Sequence, residues 1–190
     1  MGIDFLSLPG LTPYSEAHAL QKEMVEKRVR DEIPDTLILL EHPPVVTRGR
    51  GLQFESRVDG KAAMPLLPLP AHVEYFDIER GGDLTLHVPG QLVLYPIFKL
   101  DGAHAAAPAR DIGLFLRRFE DLLIAVLNEA FALGACRVRD ATGVWIEPEP
   151  GQFFKIASMG IGALFALPPL IVYLWVPWIV DRYDPEPWWC

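Results

Sequence analysis

Apolar residues recur at three- and four-residue steps in two parts of the chain. From Ser15 to Glu32 they are Ala17, Leu20, Met24, Val25 and Val29; from about Ala109 to Leu133 they are Ile112, Phe115, Phe119, Leu122, Val126 and Ala130. Such spacing puts the side chains on one face and predicts two amphipathic helices. Pro13 precedes the first and Pro34 stops it, while Gly134 stands where the second should end. Between and after the helices the pattern shortens to strand-like runs: Thr36–Glu41, Val45–Thr47, "VEYFDIE", "DLTLHV", "QLVLYPIF", "CRVR", "GVWIE" and an extended "FFKIASMGIGA". Pro43-Pro44 and Pro89-Gly90 break the runs, the arginines after Thr47 fall on a loop, and the prolines of "GKAAMPLLPLPAH" predict a surface connection. Strands interrupted by two long helices make an α/β or α+β sheet domain.

One stretch fits neither period. "IGALFALPPLIVYLWVPWIV", Ile161–Val180, carries no charge, and about 20 apolar residues is the length that spans a bilayer. Trp175, Trp178, Trp188 and Trp189 bracket its end as interfacial aromatics do. Pro168-Pro169 and Pro177 favour the alternative, that part of it is a core strand. The expectation is a domain over residues 1–160 followed by a hydrophobic segment over 161–190 that contacts or crosses a membrane.

Composition narrows the function classes. With 51% hydrophobic residues and a net charge of −8, the chain can bury a core and lacks the basic footprint of a general nucleic-acid binder. The basic clusters at Lys27, Arg28 and Arg30, at Arg48 and Arg50, and at Arg117 and Arg118 are expected on solvated faces. Cys136 and Cys190 have neither disulfide-framework nor metal-ligand spacing, and the N-terminus shows no secretory pattern, which points to a reducing, cytoplasmic setting without a metal. No phosphate-binding or dinucleotide fingerprint is present, and no cofactor is expected.

The richest chemistry lies in "ERGGDLTLHVPGQLVLYP". Paired glycines let backbone approach a ligand and expose N–H donors beside a strand histidine. A hairpin turn at Gly81-Gly82 with a satisfied His87 explains the same residues without a ligand. The stretch resembles the signature of LipB-type lipoyl(octanoyl) transferases of the biotin/lipoate protein ligase superfamily. Arg80, Gly81, Gly82, Thr85, His87, Pro89, Gly90, Gln91 and Tyr95 match it, while Leu86 and Val88 depart from it. "DTLILLEHPPVVTRGRG" and "TGVWIEPEPGQFFKIASMGI" are similar to two further segments of that family.

The resemblance implies a mixed sheet packed with helices. It also implies octanoyl transfer from acyl carrier protein, through an enzyme thioester and without ATP, to a lysine of the lipoyl domains of 2-oxoacid dehydrogenases and the glycine cleavage system. Lys155 matches the family's cation, which lowers the pKa of the nucleophilic thiol; an exposed strand-end lysine is the plainer reading. By the same matching Arg80, Gly81, Gly82, Asp83, Leu84, Thr85, Leu86 and His87 line the octanoyl pocket. Ser158, Met159 and Gly160 form another wall with oxyanion donors. The family's His-Gly-x-Ala-Leu-Asn and Pro-Cys-Gly segments do not follow Gly160; Cys190, at a similar separation from Lys155, is the nucleophile candidate, and Cys136 is expected to be a small buried hydrophobe. "DRYDPEPW" resembles the opening of PrsW-type intramembrane proteases. A catalytically silent acyl-binding or membrane-anchored module and an ATP-dependent lipoate-protein ligase are the rival readings.

Overall fold

The computed structural model describes residues 2–49, 57–58, 61–62, 70–80, 84–100, 111–161 and 170–174. It divides into two compact units, one built from residues 1–89, 93–99 and 160–171 and the other from residues 90–92, 100–159 and 172–190.

The first unit opens with strand β1 (Ile3–Leu11), which the pattern of the sequence conceals. It is mostly exposed, and its parallel register with β2 (Asp35–Glu41), Ile3↔Asp35 to Ser7↔Leu39, slips before Leu11 across Pro9 and Gly10. Those two residues mimic a turn signal, yet proline is tolerated on a strand at the end of a sheet order, where β1 lies. β2 is almost wholly buried, hence its unbroken apolar run, and pairs antiparallel with β8 (Leu92–Ile97). A second sheet sets β3 (Val45–Arg48) between β6 (Glu74–Asp77) and β7 (Leu84–His87). Two short strands, β4 (Arg57–Val58) and β5 (Lys61–Ala62), pair where the sequence suggested only a connection.

Helix α1 (Tyr14–Val29) buries Tyr14, Ala17, Gln21, Val25 and Arg28. The expected Val29 is exposed and Arg28 takes the inward place instead, because Asp35 and Asp31 neutralise its guanidinium at 2.6 Å each. Arg48 likewise ends β3 rather than opening a loop; it is buried against Asp77, with Nε to Oδ1 at 2.7 Å and Nη2 to Oδ2 at 2.9 Å. Both arginines depart from the solvated faces expected for them, and in each case a carboxylate at hydrogen-bond distance makes burial tolerable.

In the second unit, α2 (Ile112–Phe131) starts at Asp111, whose carboxylate accepts the Leu114 N–H at 2.8 Å. Phe115, Phe119, Leu123 and Leu127 form its buried face, whereas the expected Ile112, Leu122, Val126 and Ala130 are exposed: the inward stripe is turned by one residue from Phe119 on. It ends two residues before the expected glycine, in a left-handed Ala132 whose N–H returns to the Asn128 carbonyl, and Gly134 then turns the chain. Asn128 clamps the Ala135 peptide, leading into β9 (Ala135–Cys136), β10 (Val144–Glu149) and β11 (Gln152–Ile161), which pair antiparallel in that order.

Leu170–Leu174 is strand β12, next to β8 in the sheet order. The centre of the apolar run is therefore extended. No helix among the described residues is long and apolar enough to cross a membrane. The rest of residues 162–190, with the membrane contact expected there, lies outside the described residues.

Candidate active site

The first unit gathers polar aromatics around β7. Antiparallel pairing with β3 sets Thr85 opposite Thr47 and His87 opposite Val45. His87 is completely buried, Thr85 half-buried, and the alternate residues Leu84 and Leu86 are exposed. The His87 ring stands edge-on to His42 with centroids 5.2 Å apart. His42 has no exposed surface and is held at both nitrogens, Nδ1 at 2.7 Å from the Thr12 carbonyl and Nε2 at 2.8 Å from the Tyr95 hydroxyl. A carbonyl only accepts, so neutral His42 carries its proton on Nδ1 and takes a hydrogen bond from Tyr95 at Nε2. Burial lowers its pKa, and the Thr12 bond opposes the shift only in part.

Tyr14 packs 5.5 Å from His42 and 5.0 Å from Phe76 between ring centroids. Burial pushes its phenol up to about 12 although the Arg80 charge pulls the other way. Arg80 itself is 5% exposed, and its stem passes so close to Gly160 that a Cβ there would lie 3.0 Å from Arg80 Cδ. Two residues distant in sequence, both expected in the pocket, are thus neighbours.

The second unit surrounds Lys155. On the β10–β11 hairpin Trp145 lies directly opposite Lys155, and the next pair is Val144↔Ala157, leaving Ile156 as one extra residue on β11. Such a bulge re-aims neighbouring side chains. The Lys155 Nζ sits over the Trp145 ring, 5.1 Å from its centroid, where the π-face attracts a cation. Its stem runs past Gly143, at which an added Cβ would stand 2.5 Å from Lys155 Cε and 2.5 Å from the Ala157 carbonyl oxygen. Gly143 also has φ +121, a conformation open to glycine. Burial lowers the Lys155 pKa and the Glu120 carboxylate partly restores it. Buried Glu120 accepts the Gly143 N–H at 2.8 Å, Arg117 at 2.7 Å and Arg137 at 3.0 Å.

Residues 13–163 match the family described as the lipoyl protein ligase A/B catalytic domain. The chain belongs to that family. It is 44% identical over 159 residues to an octanoyltransferase of Rubrobacter xylanophilus, covering 84% of this chain and 65% of the relative. It is 42% identical over 153 residues to one of Acidothermus cellulolyticus, covering 80% and 61%. The chain thus spans less than two thirds of the length of these relatives. Its fold is also that of a lipoate-protein ligase A bound with ATP, at TM-score 0.59 and 15% identity over 97% of this chain and 71% of that one. A bipartite lipoate protein ligase of Thermoplasma acidophilum is similar at TM-score 0.52 and 17% identity, over 95% and 63%.

Of the site residues implied by the resemblance to LipB-type transferases, Arg80, Leu84, Thr85, Leu86, His87 and Gly160 fall in the first unit. Lys155, Ser158 and Met159 fall in the second, the last two half-buried on β11. Gly81, Gly82, Asp83 and Cys190 lie outside the described residues. Cys136 is half-buried rather than buried, because two-residue β9 ends the strand order and leaves one side open. Sequence reasoning passed over Tyr14, His42, Glu120 and Gly143 as functional candidates. His42 was marked by its His-Pro-Pro setting and Gly143 by Gly-Val-Trp, but no local pattern singles out Glu120 within an amphipathic helix.

Proposed function

We propose that this chain carries the transfer centre of an octanoyltransferase acting in lipoate biosynthesis and protein lipoylation. The donor is octanoyl-acyl carrier protein, and the acceptors are lysines of lipoyl domains from 2-oxoacid dehydrogenases and the glycine cleavage system. The observation that carries the reading is the Lys155 slot, formed by the Gly143-Val144-Trp145 and Lys155-Ile156-Ala157 segments inside the span matched by the family. The octanoyltransferase names of relatives 44% and 42% identical support the same reaction.

The chemistry needs no ATP, since an acyl thioester is already activated. A thiolate attacks the thioester carbonyl, the carrier leaves as a thiolate, and the acyl group rests on the enzyme sulfur. The neutral acceptor lysine amine then attacks that second thioester; the C–S bond breaks, an amide forms, the amine's proton passes to solvent and the enzyme thiolate returns. Lys155 serves both steps as a nearby ammonium that favours the thiolate form. In this proposal Cys190 supplies the sulfur, Arg80 to His87 line the acyl chain, and Ser158, Met159 and Gly160 flank the oxyanion. Residues 1–160 act as the transferase domain in the cytoplasm.

The test is to incubate the purified chain with octanoyl-acyl carrier protein and a lipoyl domain, without ATP, and weigh both proteins by mass spectrometry. The expected result is an octanoylated lipoyl domain, a transient adduct at Cys190, and suppression of both by Lys155→Ala. No acylation at any enzyme concentration overturns the activity and leaves the fold untouched. Acylation that requires ATP moves the reading to a ligase, and reversible binding without an adduct moves it to a silent acyl-binding module.

A further inference from the structure

Glu120 sits on the inward face of α2 with no exposed surface. An ionised carboxylate in such a place is strongly unfavourable unless its charge and its lone pairs are met. The charge is met by Arg117 and Arg137, which both donate to Oε2 and whose side chains are 49% and 35% exposed. Arg137 also reaches the Arg117 carbonyl and Asp121, so the two arginines are fastened to α2 and to each other. Tying the helix to the strands needs no more than this.

The second oxygen does something different. Oε1 accepts the N–H of Gly143, the residue against which the Lys155 stem lies and from which β10 runs to Trp145. Moving that peptide changes the wall and the aromatic platform of the lysine together. We propose that Glu120 is a positioning residue for Lys155: its Oε1 anchors the Gly143 peptide, and this anchor keeps the lysine stem in its slot and the ammonium over Trp145. The inference rests on the reading of Lys155 as the cation of acyl transfer, and it adds a residue from a separate helix to that site. The charge of Glu120 acts on Lys155 in the same sense, since it raises the lysine pKa against the effect of burial.

Trp145 provides a readout independent of acyl transfer, because its ring current shifts the Hε protons of a lysine lying on its face. In 13C-labelled protein the chain has five lysines, and the Lys155 signal is assigned by its loss in Lys155→Arg. Glu120→Asp keeps the charge but withdraws the carboxylate from Gly143 by one methylene. The expected result is loss of the ring-current shift and about a tenfold fall in octanoyl transfer. Arg137→Gln removes a partner of the same carboxylate while leaving the Gly143 bond, and the shift should stay. Glu120→Gln keeps an oxygen for Gly143 without the charge; the shift should stay while Lys155 titrates at lower pH than in the parent protein. The proposal is overturned if Glu120→Asp keeps the full shift, or if Arg137→Gln loses it equally. Should Glu120→Asp fail to fold, loss of the ring-current shift in Glu120→Gln, which keeps the oxygen that holds the Gly143 peptide, overturns it. A parent protein that transfers no octanoyl group would sink the proposed activity, and the ring-current comparison would still decide the role of Glu120.

Discussion

Gly143→Ala tests the Lys155 slot with a single methyl group. The added Cβ would stand 2.5 Å from two atoms, the Ala157 carbonyl oxygen and Lys155 Cε, where ordinary contact begins at 3.4 Å. The lysine must yield by about 1 Å, and because the backbone oxygen belongs to the β10–β11 ladder and cannot swing away, the peptide at residue 143 must shift as well. The residue also keeps φ +121, which for an L side chain adds roughly 1–3 kcal/mol of strain, and overpacking adds roughly 1–3 kcal/mol more. The expected loss of stability is therefore about 2–6 kcal/mol in urea unfolding. A displacement near 1 Å at a reacting group costs about 10²-fold in rate, to be read by single-turnover octanoyl transfer under conditions where the variant is folded. Gly134→Ala is the control: it has φ +64 but nothing within 4 Å of its Cβ. It should lose about 1–2 kcal/mol and no transfer rate. If Gly143→Ala transfers at the parental rate, or loses no more stability than the control, the slot does not hold the lysine as described.

Three further outcomes follow from the geometry. Tyr95→Phe removes the hydroxyl that donates to His42 Nε2 in a buried setting, and should lower the unfolding free energy by about 1–3 kcal/mol; an unchanged urea midpoint would contradict a stabilising Tyr95–His42 hydrogen bond. Arg28→Met leaves Asp35, whose side chain is 1% exposed, with its buried charge and without its guanidinium, a loss of about 3–5 kcal/mol that a second change, Asp35→Leu, should largely reverse in a double-mutant cycle. Tyr14 has a folded-state phenol near 12 against 10.0 for the free group. Its contribution is complete below pH 10 and drains away between pH 10 and 12, because the unfolded chain ionises first. Relative to Tyr14→Phe, the parent protein should lose about 1.4 kcal/mol between pH 8 and 11, and parallel curves would refute the shift.

The two helices and the antiparallel strands could be read from the sequence because their burial is one-sided and their periods differ. β1 could not, since Pro9 and Gly10 interrupt it and its exposed Phe5 and Leu11 blur any alternation. β12 was hidden for the opposite reason: an unbroken apolar run looks the same whether it is a strand or a bilayer segment. Arg28 and Arg48 read as surface charges because their neutralising partners, Asp35 and Asp77, are brought to them only by the fold. At the candidate site the resemblance picked out Lys155 and the Arg80–His87 stretch. The histidine clamp joins Thr12 just after β1, His42 just after β2 and Tyr95 on β8, and no local pattern announces it.

The spacing of the Gly-Val-Trp and Lys-Ile-Ala segments gains a physical reason from the hairpin. Gly143 stands just before β10 and Trp145 on it, and the lysine meets both: its stem passes the glycine, which has no side chain, and its ammonium lies over the broad indole. Lys155 is the cross-strand partner of Trp145, and the extra Ile156 shifts the register so that Ala157, not Ile156, faces Val144. Without that extra residue the Ala157 carbonyl would not reach its present position beside Gly143. The glycine is required twice, by its φ and by the passing lysine, and the tryptophan is required by the ammonium. Two motifs that look independent along the chain therefore describe one slot. A lysine suits it, with a slim flexible stem to pass the glycine and a compact charge to rest on the indole.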